Sequence, residues 1–211
     1  MKFCVIGVGR FGYQVAVTLA DNGMEVLAVD SNESIIASIR DKVTQAICMQ
    51  VTDEENLRNI GIMEMDVVIV AMGENLAQSI LVTALLKQHL KIPRVITRSV
   101  SDIHQEILRL IGADQVVLPE QEMATRLADT LSLPFQALMR LTPTFSISYA
   151  KAPKKCIGKS LSCINELYNV TCIGKRVGED IQSLDQDYVI QEHEILAYAG
   201  TNKDLEKIAR L

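Results

Sequence analysis

Apolar residues fall into short continuous runs separated by stretches where they recur every three or four positions, and the two patterns alternate over residues 1–132. A short run rich in β-branched residues reads as a strand covered on both faces, and a three-to-four spacing reads as a helix with one buried stripe. Strands are therefore predicted at 2–7 (KFCVIG), 25–30 (EVLAVD), 44–49, 66–71 (DVVIVA), 94–97 and 115–118. Helices are predicted at 11–22, from 32 through Ile35, Ile36 and Ile39, and at 53–60, 75–90, 103–111 and 122–131. Gly23, Gly61 and Gly112 follow three of those helices, where a glycine stop is expected. Strands alternating with helices pair in parallel through right-handed crossovers, which gives an α/β unit with a doubly wound sheet.

Beyond residue 132 the pattern changes. Pro134 and Pro143 bracket FQALMRLT, predicted as a linker helix over 133–143. Residues 145–149 (FSISY) alternate like a strand, 170–175 and 195–199 also read as strands, and 158–167 and 201–211 as short helices. Residues 144–211 are thus expected to form a small α+β module. Leu127, Leu131, Phe135, Leu138 and Leu141 supply more apolar surface than a linker needs. That surface fits either core within one chain or a flexing dimer crossover.

Composition narrows the class. Of 211 residues, 48% are hydrophobic, enough to rule out disorder, and the net charge of −5 argues against broad binding to nucleic acid or anionic lipid. The longest uncharged run, 75–86, is 12 residues, well short of the roughly 20 that a membrane span requires. The N-terminus breaks into glycines too early for a signal peptide, so a soluble protein, or the soluble part of something larger, is expected. Five cysteines are scattered with no CxxC pair, which suits a reducing compartment; Cys4 and Cys48 read as small core residues. Charge is uneven: residues 1–132 carry 11 basic and 17 acidic groups, residues 133–211 carry 10 and 9.

Gly7-Val8-Gly9-Arg10-Phe11-Gly12 fits G-x-G-x-x-G, between a predicted strand and a predicted helix, and Asp30 closes the next strand 18 residues after Gly12. That context makes the fingerprint a dinucleotide- or nucleotide-binding one, on a Rossmann-like sheet. Gly7 permits the turn, Gly9 lets the backbone approach a phosphate, Gly12 allows close helix–strand packing, and the helix start offers free N–H groups. Asp30 suits ribose hydroxyls and disfavours a 2′-phosphate. Arg10 adds charge suited to a terminal phosphate. Ligands sit beyond the carboxyl ends of parallel strands, so Thr52, Asp53, Ala71, Gly73 and Arg98 are predicted along the same crevice.

Catalytic partners are not apparent. His89 and His104 lie on predicted helices as surface residues, and His193 lies in a polar turn. No Ser/His/Asp or Cys/His grouping and no metal-ligand spacing occurs, so the site reads as sensory and the chain as no enzyme. An NAD(H)-binding redox sensor of the same fold and a small NAD-dependent dehydrogenase stay open as alternatives.

The segments KFCVIGVGRFGYQVAVTLADNGMEVLAVDSN, VTDEENL, DVVIVAMGENLAQSILVTALLK and IPRVITRSVSDIHQEILRLIGADQVVLPE resemble the KtrA/TrkA-type RCK proteins, and IGKSL, NVTCIGKR and VIQEHEILAYAGTNKDLEKI are similar to their C-terminal module. One nucleotide unit followed by one module resembles the short Ktr type. The resemblance implies a regulatory subunit of a bacterial potassium uptake system. It would be cytoplasmic and bound to the inner face of the membrane beneath a potassium translocation subunit. Homodimers would assemble into a ring, typically an octamer, with no nucleic acid partner. ATP and ADP would bind Gly7, Gly9, Arg10, Phe11 and Gly12, with Asp30 on the ribose, Arg98 near the nucleotide and Glu120 at a divalent or monovalent cation in the dimer interface. Asn169 and Arg176 fall near the region where some relatives bind cyclic di-AMP. Gln50 departs from the acid that relatives often place against adenosine, and Gln182-Ser183-Leu184 replaces a proline-containing stretch.

Overall fold

In the N-terminal half, each predicted strand ends beside a turn that opens a helix. Strands β1 (Lys2–Ile6), β2 (Glu25–Asp30), β3 (Gln45–Cys48), β4 (Val67–Val70), β5 (Arg94–Arg98) and β6 (Gln115–Val117) alternate with helices α1 (Arg10–Asp21), α2 (Glu33–Ile39), α3 (Glu54–Asn59), α4 (Leu76–Ala84), α5 (Asp102–Ile111) and α6 (Pro119–Ser132). The structure is a computed structural model and describes residues 1–132, 138–142, 144–185 and 187–210. The six strands form one parallel sheet in the order β3-β2-β1-β4-β5-β6. The winding direction therefore reverses between β1 and β4, and a crevice opens there.

Burial explains why the strand sequences are continuous rather than alternating. Cys4, Ile6, Val68 and Val70 point into one apolar layer with Leu57, Val82 and Leu86. Val5, Val67 and Ile69 point into the other with Ala16, Val26 and Ile39. Successive side chains face opposite ways, so a sheet covered on both sides needs apolar residues at every position. Cys48, however, is exposed. It lies on the edge strand β3, where the sheet ends, and the expectation of a core cysteine fails there for that reason.

Two further sequence expectations change. The α-helix predicted to run to Leu90 stops at Ala84 and continues as a π-helical turn, Leu85–His89. The wider turn lets Leu86, Leu90 and Ile92 all enter the core, at 0–3% exposure. His104, expected on the surface, is buried on α5, and desolvation lowers its pKa, favouring the neutral ring.

The chain divides into two units, Met1–Glu122 and Met123–Leu211, so the boundary falls inside α6 rather than at 132. Beyond Glu122, Asp129 of α6 pairs with Arg140 at 2.6 Å, within the second unit. The linker helix expected over 133–143 is corrected where it is described: Leu138–Arg140 is strand β7, hydrogen-bonded antiparallel to β8 (Phe145–Lys151). The pairing is local, closed by Leu141 and Thr142 N–H groups donating to the Phe145 carbonyl, so a hairpin overrides helical spacing. Residues 133–137 and 143 of that expectation lie outside the described residues. Of the crossover positions, Leu127, Leu131 and Leu141 are exposed in the single chain.

The second unit is an antiparallel sheet, ordered β10-β9-β11-β8-β7, with β9 (Thr171–Val177), β10 (Asp180–Gln182) and β11 (Ile195–Thr201). Helices α7 (Ser162–Tyr168) and α8 (Asn202–Ala209) cover a core of Cys156, Ile164, Ile190, Leu196, Tyr198 and Leu205. No helix among the described residues is long and apolar enough to cross a membrane.

A nucleotide crevice at the sheet switch point

The crevice beyond β1, β2 and β4 has a volume of ≈ 760 Å³, and Gly7, Gly9, Arg10, Phe11, Asp30, Ala71, Gly73, Arg98 and Glu120 all line it. All these positions are named from the sequence, Glu120 as a cation ligand rather than a crevice residue, and the glycines differ in what they do. Gly7 has φ +89, and a Cβ there would meet the Met72 backbone nitrogen at 3.0 Å. A side chain at Gly12 would run into the Gly7 carbonyl and the Ala71 methyl. Those two glycines hold the turn and pack α1 against β4. Gly9 faces open space, with no heavy atom within 4 Å of an added Cβ. That is the cradle a bound phosphate requires. Gly9 also N-caps α1 with no side-chain hydrogen bond, so the helix start keeps its N–H groups available to an anion.

Asp30 does more than wait for a ribose. Its Oδ2 accepts from the Val8 N–H at 2.7 Å and its Oδ1 from the Asn32 N–H at 2.8 Å. The carboxylate thus braces the glycine loop to the start of α2, and the remaining lone pairs of each oxygen are free to accept hydroxyl protons. Asn32 in turn caps α2, accepting from the Ser34 and Ile35 N–H groups.

Two arginines bring positive charge. Arg10 is exposed in the first turn of α1, and no acidic partner is found for it among the described residues. Arg98 lies over the Phe11 ring at 5.9 Å and pairs with Glu120. Its Nε is buried without a partner among the described residues, a donor left for a ligand. The Arg98 guanidinium packs so closely over Gly73 that a Cβ there would come within 2.5 Å of it. Glu120 pairs with Arg98, and the described residues contain no group of three or more His, Cys, Asp or Glu able to hold a metal.

Thr52 and Asp53 are not brought into the crevice. Asp53 N-caps α3, accepting from the Asn56 N–H at 2.9 Å, and Thr52 donates to it at 3.0 Å; those hydrogen bonds hold its carboxyl below the usual range. Their neighbours Gln50 and Val51 line the wall instead. Sequence reasoning missed Ser31, Asn32, Asn75 and Gln78 as lining residues, although Ser31 and Asn32 directly follow β2 and Asn75 and Gln78 lie at the start of α4. Asn75 could have been found as the N-cap of α4, accepting from the Gln78 N–H, while the Gln78 side-chain amide reaches back to donate to the Val51 carbonyl.

Asn169 and Arg176 each bond within the second unit. Asn169 ends α7 in the left-handed conformation, φ 56, and donates to Asp204 at 3.1 Å. Arg176 is near the end of β9 and donates to the Gly178 carbonyl at 3.0 Å.

Residues 3–119 match the TrkA-N domain family. The chain is 34% identical to Ktr system potassium uptake protein A of Bacillus subtilis (strain 168), over 98% of its own length and 94% of that protein. It is 30% identical to the protein of the same name from Vibrio alginolyticus, over 97% and 94%. Among solved structures it resembles the GsuK channel bound to NAD, at 22% identity and TM-score 0.58, over 99% of this chain and 38% of that one. It also resembles GsuK bound to ADP, at 26% identity and TM-score 0.54, over 62% and 33%. The chain spans well under half the length of those channel chains but nearly all of the Ktr proteins. A glycine crevice at the switch point, a family match across that unit and similarity to Ktr proteins over 98% of the chain agree: the chain belongs to the TrkA-N family and is of the KtrA/TrkA RCK type.

Proposed function

We propose that the protein is a nucleotide-sensing regulatory subunit of a potassium uptake system, cytoplasmic, acting as a homo-oligomeric ring on a separate membrane translocation subunit. ATP and ADP compete for the glycine crevice and shift the ring between two shapes. Arg10 carries this reading. Its guanidinium stands at the crevice, beside an uncapped helix start and without an acidic partner among the described residues. Supporting it are the full-length Ktr relatives, a structural relative described as bound to ADP, and the exposed Leu127, Leu131 and Leu141, which suit self-association.

The physical basis is unequal affinity, because a ligand moves an equilibrium only as far as it binds two states differently. Arg10 and the α1 N–H groups meet phosphate charge, and Arg98 can exchange Glu120 for the same charge. An additional terminal phosphate adds charge-assisted hydrogen bonds worth about 1.5–3 kcal/mol. Coupling of about 1–3 kcal/mol is the usual size for allosteric regulation and changes a gate several-fold.

The test is titration calorimetry of ATP, ADP, NAD and NADH on the wild type and on Arg10→Ala. The substitution is expected to weaken ATP by roughly ten-fold or more and ADP by clearly less. Equal losses remove the phosphate-sensing role. Asp30 at the end of β2 also suits a dinucleotide ribose, and NADH as the tightest ligand makes the protein a redox sensor instead.

A further inference from the structure

The C-x6-C spacing of Cys156 and Cys163 carries no motif, yet the second unit folds the two together. Cys156 closes a 3-10 turn, Lys154–Cys156, and Cys163 lies in the first turn of α7. Between them Gly158 takes φ +76, and the Gly158 N–H donates to the Ile190 carbonyl while the Ile190 N–H donates to the Lys159 carbonyl. Those bonds pin the intervening loop against the segment before β11. The Cys163 N–H donates to the Ser160 carbonyl at 3.1 Å, which turns α7 back toward Cys156. As a result the two sulfur atoms sit 2.6 Å apart, at 0% and 8% residue exposure, inside the apolar core. That separation is well inside what two unbonded sulfurs keep, and half an ångström of movement reaches the bonded distance of about 2.05 Å.

We propose that Cys156 and Cys163 are an oxidation site that closes to an intrachain disulfide with hydrogen peroxide or a related small peroxide. The Cys163 sulfur attacks the peroxide, its O–O bond breaks, and the sulfur becomes a sulfenic acid as one water leaves. The Cys156 sulfur then displaces the hydroxyl, the S–S bond forms and a second water leaves, so two thiols lose two electrons and one peroxide becomes two waters. Cys163 is the attacking partner because it is the less buried. Burial and the shared hydrogen bond with Cys163 push the Cys156 thiol up to about 12, so Cys156 is the poorer first nucleophile and is left to resolve the sulfenic acid already held against it. A low-molecular-weight thiol reverses the bond through a mixed disulfide. The link ties the 3-10 turn to α7 and stiffens the second unit, leaving the nucleotide crevice untouched.

The reduced full-length chain is treated with hydrogen peroxide under native conditions, and its thiols are counted by maleimide labelling and intact mass. Five cysteines are expected to fall to three free thiols, with a mass loss of about 2 Da. Trypsin, cutting after Lys155, Lys159 and Lys175, then yields peptide 156–159 joined to peptide 160–175. The second peptide also contains Cys172, so its fragment masses must place the link at Cys163. Cys163→Ser abolishes the link, whereas Cys172→Ser and Cys48→Ser retain it. The oxidised wild type should melt several degrees above the reduced form. Five surviving thiols in the folded chain, under oxidant that does link the same chain in denaturant, overturn the proposal. So does a link to Cys172 or Cys48, and so does an unchanged melting temperature in the linked protein.

Discussion

The two units place polar groups in opposite ways. In Met1–Glu122, polar side chains and free N–H groups collect at the carboxyl ends of parallel strands, where Gly9 leaves space and the Arg98 Nε lacks a partner among the described residues. In Met123–Leu211, polar groups largely satisfy one another. Asp204 accepts from Lys207 and Thr201 at 2.7 Å and from Asn169 at 3.1 Å. Lys175 meets Tyr188 and Glu194 at 3.1 and 3.4 Å. The contrast teaches that open hydrogen-bonding capacity, rather than the number of polar residues, separates a ligand site from a scaffold.

The largest effect expected from breaking this contrast is at Gly12. Gly12→Val pushes a side chain into the Gly7 carbonyl and the Ala71 methyl, and should cost the first unit about 3 kcal/mol or more and abolish nucleotide binding. Calorimetric unfolding with and without ATP checks this; an intact ATP-induced rise in melting temperature would contradict the close-packing role.

A middle-sized effect is expected at Asp204. Hydrogen bonds from Lys207, Thr201 and Asn169 hold its carboxyl down at about 2, against 3.8 for the free side chain. A depressed carboxyl stabilises the fold above the unfolded value and loses that contribution as pH falls from about 4 to about 2. Acid unfolding followed by tyrosine fluorescence should therefore steepen in that window, and Asp204→Asn should flatten it while lowering stability near neutrality. An identical acid profile for both proteins would separate Asp204 from the unit's stability.

The smallest effect sharpens the edge of the crevice. Asp53→Ala removes the α3 cap and should lower the melting temperature by a few degrees while leaving ATP affinity unchanged. A several-fold loss of affinity would return Asp53 to the site.

Much of the first unit was legible because each signal was local. A buried strand needs a continuous apolar run, the glycine loop lies within six residues, and Asp30 closes the neighbouring strand. The misses were non-local. Cys48 reads as core until the sheet order makes β3 an edge, and His104 reads as surface until α5 turns it inward. Thr52 and Asp53 follow a strand end, but capping claims them first. β7 reads as helix because a three-residue strand exists only through its partner, β8.

By itself, then, the sequence determined the alternating order of strands and helices, the parallel α/β class, the glycine loop and its acid. Periodicity, turn residues and capping act over a few positions and are written directly in the chain. Only the tertiary structure decided that Asp30 braces the loop it was expected merely to accompany, that Arg98 is shared between Phe11 and Glu120, and that Cys156 meets Cys163. Those outcomes depend on chain segments converging in space, where competition for each hydrogen bond and each buried volume is settled by packing and not by sequence spacing.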